Sequence, residues 1–163
     1  MVPFEYGGAT MVKRTLDLCK SVNDYLNHYV VVIDSKAAAI GAASLVVVGL
    51  VVAPGAIKQV GILGWLGALS AAVSVLCSGA ALYPRTPHSN EGHLFWGDII
   101  EFESASSYWE SFCALSEDEI EKEYALQNYS VSGVLRRKTA LVRTAMWFLG
   151  GACLLVALAY GAV

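Results

Sequence analysis

Charge is scarce in this chain. Its 163 residues are 15% Asp, Glu, Lys and Arg and 56% hydrophobic, whereas soluble domains carry roughly 25% charged residues. The shortage is uneven. Three stretches, from about Ala37 to Ala53, Val60 to Tyr83 and Leu141 to Val163, contain no carboxylate, and only the last holds a basic residue, Arg143. The net charge of −3 leaves no basic excess, so a nucleic-acid partner is not expected. Cysteine is sparse too: Cys19, Cys77, Cys113 and Cys153 are scattered without a CxxC pair, which excludes a disulfide framework and a cysteine zinc site. Also missing are a GxxxxGK[ST] or GxGxxG phosphate loop, a GxSxG elbow and a helical HExxH pair. No enzyme, cofactor or metal site is expected. His88, Glu91, His93 and Asp98 lie close together, but two histidines in a turn-rich segment fall short of the three or four ligands that zinc requires.

What is present follows from the apolar stretches. A helix needs roughly 20 mainly apolar residues to cross a bilayer. The second and third stretches are long enough, and the first becomes so if Ile33 and its neighbours join it. Some 35 residues with several charges come before the first stretch, so a cleaved signal peptide is not expected. The fold expected is an all-α membrane protein. It has three transmembrane helices and a small helical cytoplasmic cap built from the N-terminal helix and the segment between helices two and three. The boundaries are 1–36 for the N-terminal helix, 37–83 for two spans, 84–140 for the cytoplasmic segment and 141–163 for the third span.

Orientation comes from the bases. Lys13, Arg14, Lys20 and Lys36 precede the first span, and Arg85, Lys122, Arg136, Arg137 and Lys138 lie between spans two and three. The loop between spans one and two has Lys58 alone. Basic residues accumulate on the cytoplasmic side, so the N-terminus and the middle segment are expected there.

Met11, Thr15, Leu18, Val22, Tyr25, Tyr29 and Ile33 recur every three or four residues, one stripe of an amphipathic helix. No Gly or Pro interrupts the chain from Met11 to Gly41, so this helix is expected to run into span one. The stripe is expected to pack on the middle segment or on another copy of itself. Two prolines in Tyr83-Pro84-Arg85-Thr86-Pro87 end span two. The run His93 to Ile100 reads as a buried or interfacial piece of the cap. A short helix is expected from about Ser106 to Leu115, with Tyr108, Phe112 and Leu115 on one face. Ser116-Glu117-Asp118-Glu119 is a capping box. Beyond it no proline occurs, and Ile120, Tyr124, Gln127, Val131 and Leu135 continue one face, so a single helix of roughly 70 Å is expected to reach into span three.

Three polar features need partners. Arg136, Arg137 and Lys138 suit the anionic cytoplasmic leaflet as a membrane anchor, or else a phosphate-bearing ligand. Asp34 and Lys36 sit at the mouth of span one, where a structural ion pair is the simplest account. Gly67, Ser70, Ser74 and Ser78 line one face of span two, fit for close packing within one bundle, an inter-subunit seam or a wet pathway.

Taken in order, these residues resemble the transmembrane effectors of Pycsar, a bacterial anti-phage system that signals with cyclic pyrimidine nucleotides. The resemblance rests on Asp34-Ser35-Lys36-Ala37 opening span one and Tyr83-Pro84-Arg85 closing span two. It rests also on Phe95-Trp96-Gly97-Asp98-Ile99 with Tyr108, and on Gln127, Ser130, Lys138 and Arg143 leading into the last span. It covers the chain from about Tyr25 onward; Trp96 stands where another aromatic such as Phe is expected. The resemblance implies a homo-oligomeric effector in the bacterial inner membrane, a companion pyrimidine cyclase and a response to cUMP or cCMP that impairs the membrane. For the ligand, Lys36, Arg85 or Arg136 would meet the phosphate, Trp96 or Phe95 the pyrimidine, and Asp98 a ribose hydroxyl or base N–H, with Asp34 beside Lys36. The competing readings are a partner-binding membrane protein without ligand-gated permeability, and a membrane enzyme using His93 and Asp98.

Overall fold

The structure, a computed structural model, describes residues 6–54, 56, 61–84 and 92–161, with side chains from Arg14 onward. Among the described residues five helices follow one another: α1 (Tyr6–Val52), α2 (Gly61–Leu82), α3 (Trp96–Ile99), α4 (Ala105–Ala114) and α5 (Glu117–Gly161). Among the described residues there is no strand. Three helices among the described residues are long and apolar enough to cross a membrane, the segments Arg14–Val52, Gly61–Leu82 and Glu117–Gly161. The two expected helix fusions are present. α1 runs unbroken for 47 residues and α5 for 45, because neither contains a proline and their glycines, Gly133 among them, are not enough to stop a helix.

The capping box forms as expected. Ser116 donates its backbone N–H and its hydroxyl to Glu119 Oε2, each at 2.7 Å, and the Ser116 hydroxyl accepts from the Glu119 N–H at 3.4 Å. The bond from the Ser116 backbone N–H, then that from its hydroxyl, holds the Glu119 carboxyl below its usual value; partial desolvation opposes this and Lys122 adds to it. Helix α4 begins one residue before its expected start. Ser104 is its N-cap, accepting from the Ser107 N–H at 3.1 Å.

The chain divides into two compact units. One comprises Met1–Tyr29 with Arg85–Val134, the other Val30–Pro84 with Leu135–Val163. The second unit holds the apolar runs, and its interior is made of small residues. α2 buries Gly64, Gly67, Ala68, Ala71, Ser74, Ser78 and Ala81. Val51, Ala68 and Val156 form one buried cluster, and Ile33, Ala37, Ala81 and Val142 another. A Cβ on Gly67 would stand 2.7 Å from a Val156 methyl and 3.3 Å from the Ala152 carbonyl oxygen, so the close approach of α2 and α5 there requires glycine. The large apolar side chains face outward, among them Leu69, Leu76, Trp147 and Leu154 at 61–78% exposure. Small inside and large outside inverts the order of a water-soluble core and suits a bundle solvated by lipid.

The first unit is built on rings and amides. Phe102, Tyr108 and Phe112 pack in series, with ring centroids 5.3 and 5.9 Å apart. Asn23 of α1 donates to Asn128 of α5 at 3.0 Å, and Asn128 donates to the Cys19 carbonyl at 3.0 Å. The half-buried stripe Ile120, Tyr124, Gln127, Val131 and Leu135 of α5 is as expected. Of the two packings expected for the α1 stripe, the one on the middle segment is not met. Leu18, Val22, Tyr25 and Tyr29 do not pack on the middle segment but are exposed, and the face turned inward lies one residue further along, through Cys19, Asn23 and Leu26. The Asn23 and Cys19 bonds to Asn128 account for the rotation, because buried amides must find partners and these two anchor that face. Of the run His93 to Ile100, His93, Gly97 and Asp98 are buried, whereas Trp96 and Ile100 stand 65% and 73% exposed.

Candidate functional site

In the unit of rings and amides, the polar centre is His93, which is 9% exposed. It stands three residues before α3, and three helical side chains clasp it. Glu123 of α5 takes the His93 backbone N–H at 2.9 Å with one oxygen and lies 2.7 Å from Nδ1 with the other. Ser111 Oγ of α4 lies 2.8 Å from Nε2. The Tyr108 hydroxyl donates to the His93 carbonyl at 3.0 Å, and the Tyr108 and Phe102 rings lie within 6.3 and 5.5 Å of the imidazole. A carboxylate only accepts, so toward an ionised Glu123 Nδ1 donates, and in the neutral imidazole Nε2 then accepts from Ser111. This clasp ties a loop to two helices and satisfies every polar atom of the histidine. Such closed networks rigidify what they join.

Sequence reading missed the clasp, because its members are 18 and 30 residues apart. A signal did exist. Glu123 stands three residues after Ile120 on the apolar face of α5, and an acid on such a face calls for a hidden partner.

In the unit with the apolar runs, the polar features also resolve. Lys138 Nζ donates to Asp34 Oδ1 at 2.6 Å, with side-chain exposures of 6% and 34%. Asp34 therefore pairs with Lys138 of α5, not with Lys36, two residues along its own helix, which is exposed. Lys138 too carried a signal, since it extends the stripe of Val131 and Leu135 toward Val142 at steps of four, three and four. Arg136 and Arg137 are exposed. The serine stripe of α2 is internal, as the packing account requires. Ser70 donates to the Phe148 carbonyl and Ser74 to the Ala145 carbonyl, each at 2.8 Å, while Ser44 donates to Ser74 at 2.8 Å. Only the Ser78 hydroxyl of that stripe is buried without a partner.

The expected ligand residues are thus distributed. Asp34, Lys36 and Arg136 belong to one unit, Trp96 and Asp98 to the other, and Arg85 lies outside the described residues, as do His88 and Glu91. Trp96 is 65% exposed, with its indole centroid 5.5 Å from that of Phe95. Asp98 is 3% exposed and has a partner. Among the described residues no group of three or more His, Cys, Asp and Glu side chains is arranged to hold a metal ion.

Neither a curated protein nor a solved structure matches this chain significantly. The family model of the Pycsar effector protein domain, PycTM, matches residues 18–163, nearly the whole chain. The residues that open span one and lead into span three, now seen joined through Asp34 and Lys138, lie within that match. The chain belongs to the Pycsar effector protein domain family.

Proposed function

We propose that this protein is the membrane effector of an anti-phage response, switched by a cyclic pyrimidine mononucleotide, cUMP or cCMP. It answers by rearranging as a homo-oligomer and impairing the bacterial inner membrane. The observation that carries this reading is the family match over residues 18–163, on a chain whose described residues include three helices able to cross a bilayer. The family is one of effectors, which supports a defence role with no catalytic step of its own. A companion cyclase supplies the nucleotide. The distribution of bases supports a cytoplasmic N-terminus, where the nucleotide would arrive.

For the ligand, exposed Lys36 and Arg136 are assigned to the phosphate, with Arg85 as a further candidate from the sequence. A guanidinium fork suits phosphate oxygens. The exposed face of Trp96 is assigned to the pyrimidine, and Asp98 to a ribose hydroxyl or base N–H. The carboxylate of Asp34, already engaged by Lys138, acts by holding that cation rather than by meeting an anion. For the switch to work, the nucleotide must bind one membrane state more tightly than the other.

The test is dye release from liposomes carrying the purified chain, with cUMP, cCMP and their purine counterparts added separately. Release with one pyrimidine ligand alone supports the reading and names the signal. Silence with all four, in a sample whose helices are intact, moves the function to a partner-binding membrane protein without gated permeability. If release occurs, Arg136→Ala and Trp96→Ala are expected to raise the nucleotide concentration needed; unchanged concentrations would remove those residues from the site.

A further inference from the structure

Helix α1 carries two seams, one residue apart. The inner seam steps by three and four through Asn23, Leu26, Val30, Ile33, Ala37 and Ile40, and all are buried or half-buried. The outer seam steps likewise through Leu18, Val22, Tyr25 and Tyr29, exposed by 63, 37, 59 and 41%. Asp17, Lys20, Asp24 and Asn27 lie off this line, toward the far side of the helix, and Ser21 and His28 stand along its outward edge. Counted onward with the same steps, the line reaches Ala39, Ala43, Val46 and Leu50 within the apolar run, all exposed as well.

We infer that this outer seam is where a second copy of the chain pairs, α1 against α1, parallel and in register. Four observations lead to this occupant. A 3–4 repeat of exposed apolar residues matches another helix of the same repeat, since knobs and holes then coincide along the line. In the apolar run the repeat becomes Ala39-xxx-Ala43, the small-xxx-small spacing by which helices associate in lipid. Because the two parts lie on one unbroken helix, copies inserted the same way in one membrane present their seams parallel at the same height. A symmetric pair then sets each residue opposite itself. The charges agree as well. Between Leu18 and Tyr29 the positions flanking the seam, Cys19, Ser21, Leu26 and His28, include no lysine, arginine or carboxylate, so self-pairing brings no fixed like charges together there.

One seam position breaks the pattern. Lys36, exposed, falls on the line where an apolar residue would stand. A single lysine in a coiled-coil seam fixes register and partner number while weakening the pair. Self-association through α1 is therefore tunable at Lys36, and an anion bound between two Lys36 side chains would tighten it. The inference identifies the contact surface for the oligomer that the proposed function invokes, and it rests on that reading only for the role of the anion.

The experiment is disulfide cross-linking of the full chain in membranes, with Cys19, Cys77, Cys113 and Cys153 replaced by alanine and no nucleotide present. Val22→Cys and Tyr25→Cys, each opposite its own copy, are expected to form dimers at least about tenfold faster than Lys20→Cys on the polar face. Equal rates at all three positions, or no dimer from either seam cysteine, would overturn the pairing. In the chain with native cysteines, Val22→Glu is expected to weaken dimerisation in detergent about tenfold and Lys36→Met to strengthen it about tenfold, read by sedimentation; no change in both would also overturn it. A chain that cross-links at the seam yet releases no dye with any nucleotide would refute the effector reading and leave the pair standing.

Discussion

Among the described residues of the unit that contains the apolar runs, nothing larger than Val51 is fully buried, and the remaining largest are Ser44, Ser74 and Ser78. In the unit centred on His93, the interior is instead a histidine ringed by Phe102, Tyr108, Glu123 and Ser111. The difference follows from the solvent each sequence suits. Lipid gives apolar side chains no reason to hide, so helices there gain by close approach, and small residues permit it. Water drives rings inward and obliges each buried polar atom to find a partner. The two units should therefore fail in opposite ways, one by enlarging a residue and the other by deleting a polar atom.

The largest effect is expected where the small-residue unit departs from its own rule, at its ion pair. Asp34→Ala leaves the Lys138 ammonium, 6% exposed, without its anion, and removing one partner of a buried pair costs about 3–5 kcal/mol. Thermal unfolding in detergent should show this loss. Asp34→Ala combined with Lys138→Met should recover most of it, since an apolar pair of similar size is tolerated. Next comes enlargement. Ser74→Leu removes two hydroxyl contacts and inserts bulk between α1, α2 and α5, for about 1–3 kcal/mol by overpacking. Ser74→Ala, which loses only the hydroxyl, should cost about 0.6 kcal/mol. Equal effects of the two would mean that polarity, and not volume, governs this interior.

The His93 clasp should show the reverse order. His93→Phe keeps the ring and its volume but leaves Glu123 and Ser111 without their partner, for about 1–3 kcal/mol. Hydrogen exchange at α4 and the start of α5 would report the loosening. If His93→Phe proved neutral there, the ring packing alone would hold this unit. The smallest effect is expected at the capping box. Ser116 lowers the Glu119 carboxyl below its usual value, so the support it provides is complete above the unfolded-state value and disappears as pH falls through the lowered one. Amide exchange in the first turn of α5 should accelerate across that acidic window, and Glu119→Gln should remove the dependence. A pH response that survived Glu119→Gln would place its origin outside the Ser116–Glu119 box.

Much of this was legible in the chain. The fusion of amphipathic and apolar segments into α1 and α5 follows from unbroken helix-forming sequence, and the cap at Ser116 and Glu119 from three-residue spacing. The inward serine stripe of α2 was visible as one of three options, and contacts with Ala145 and Phe148 select among them. For the candidate ligand residues, the exposure of Lys36, Arg136 and Trp96 and the burial of Asp98 were not legible. These depend on which neighbours cover each side chain.

Local order, in short, was determined by the sequence itself. Helix extent, caps, apolar runs and the two 3–4 seams of α1 depend on residues within a turn or two of each other, where backbone sterics and hydrogen bonding act directly. Tertiary structure decided which seam faces inward, that Asp34 answers Lys138 across 104 residues, and that His93 answers Glu123 across 30. Two seams of nearly equal apolarity present the helix with nearly equal choices. Only the amides and charges that must be paired once buried, Asn23 with Asn128 and Asp34 with Lys138, make one of them far better than the other.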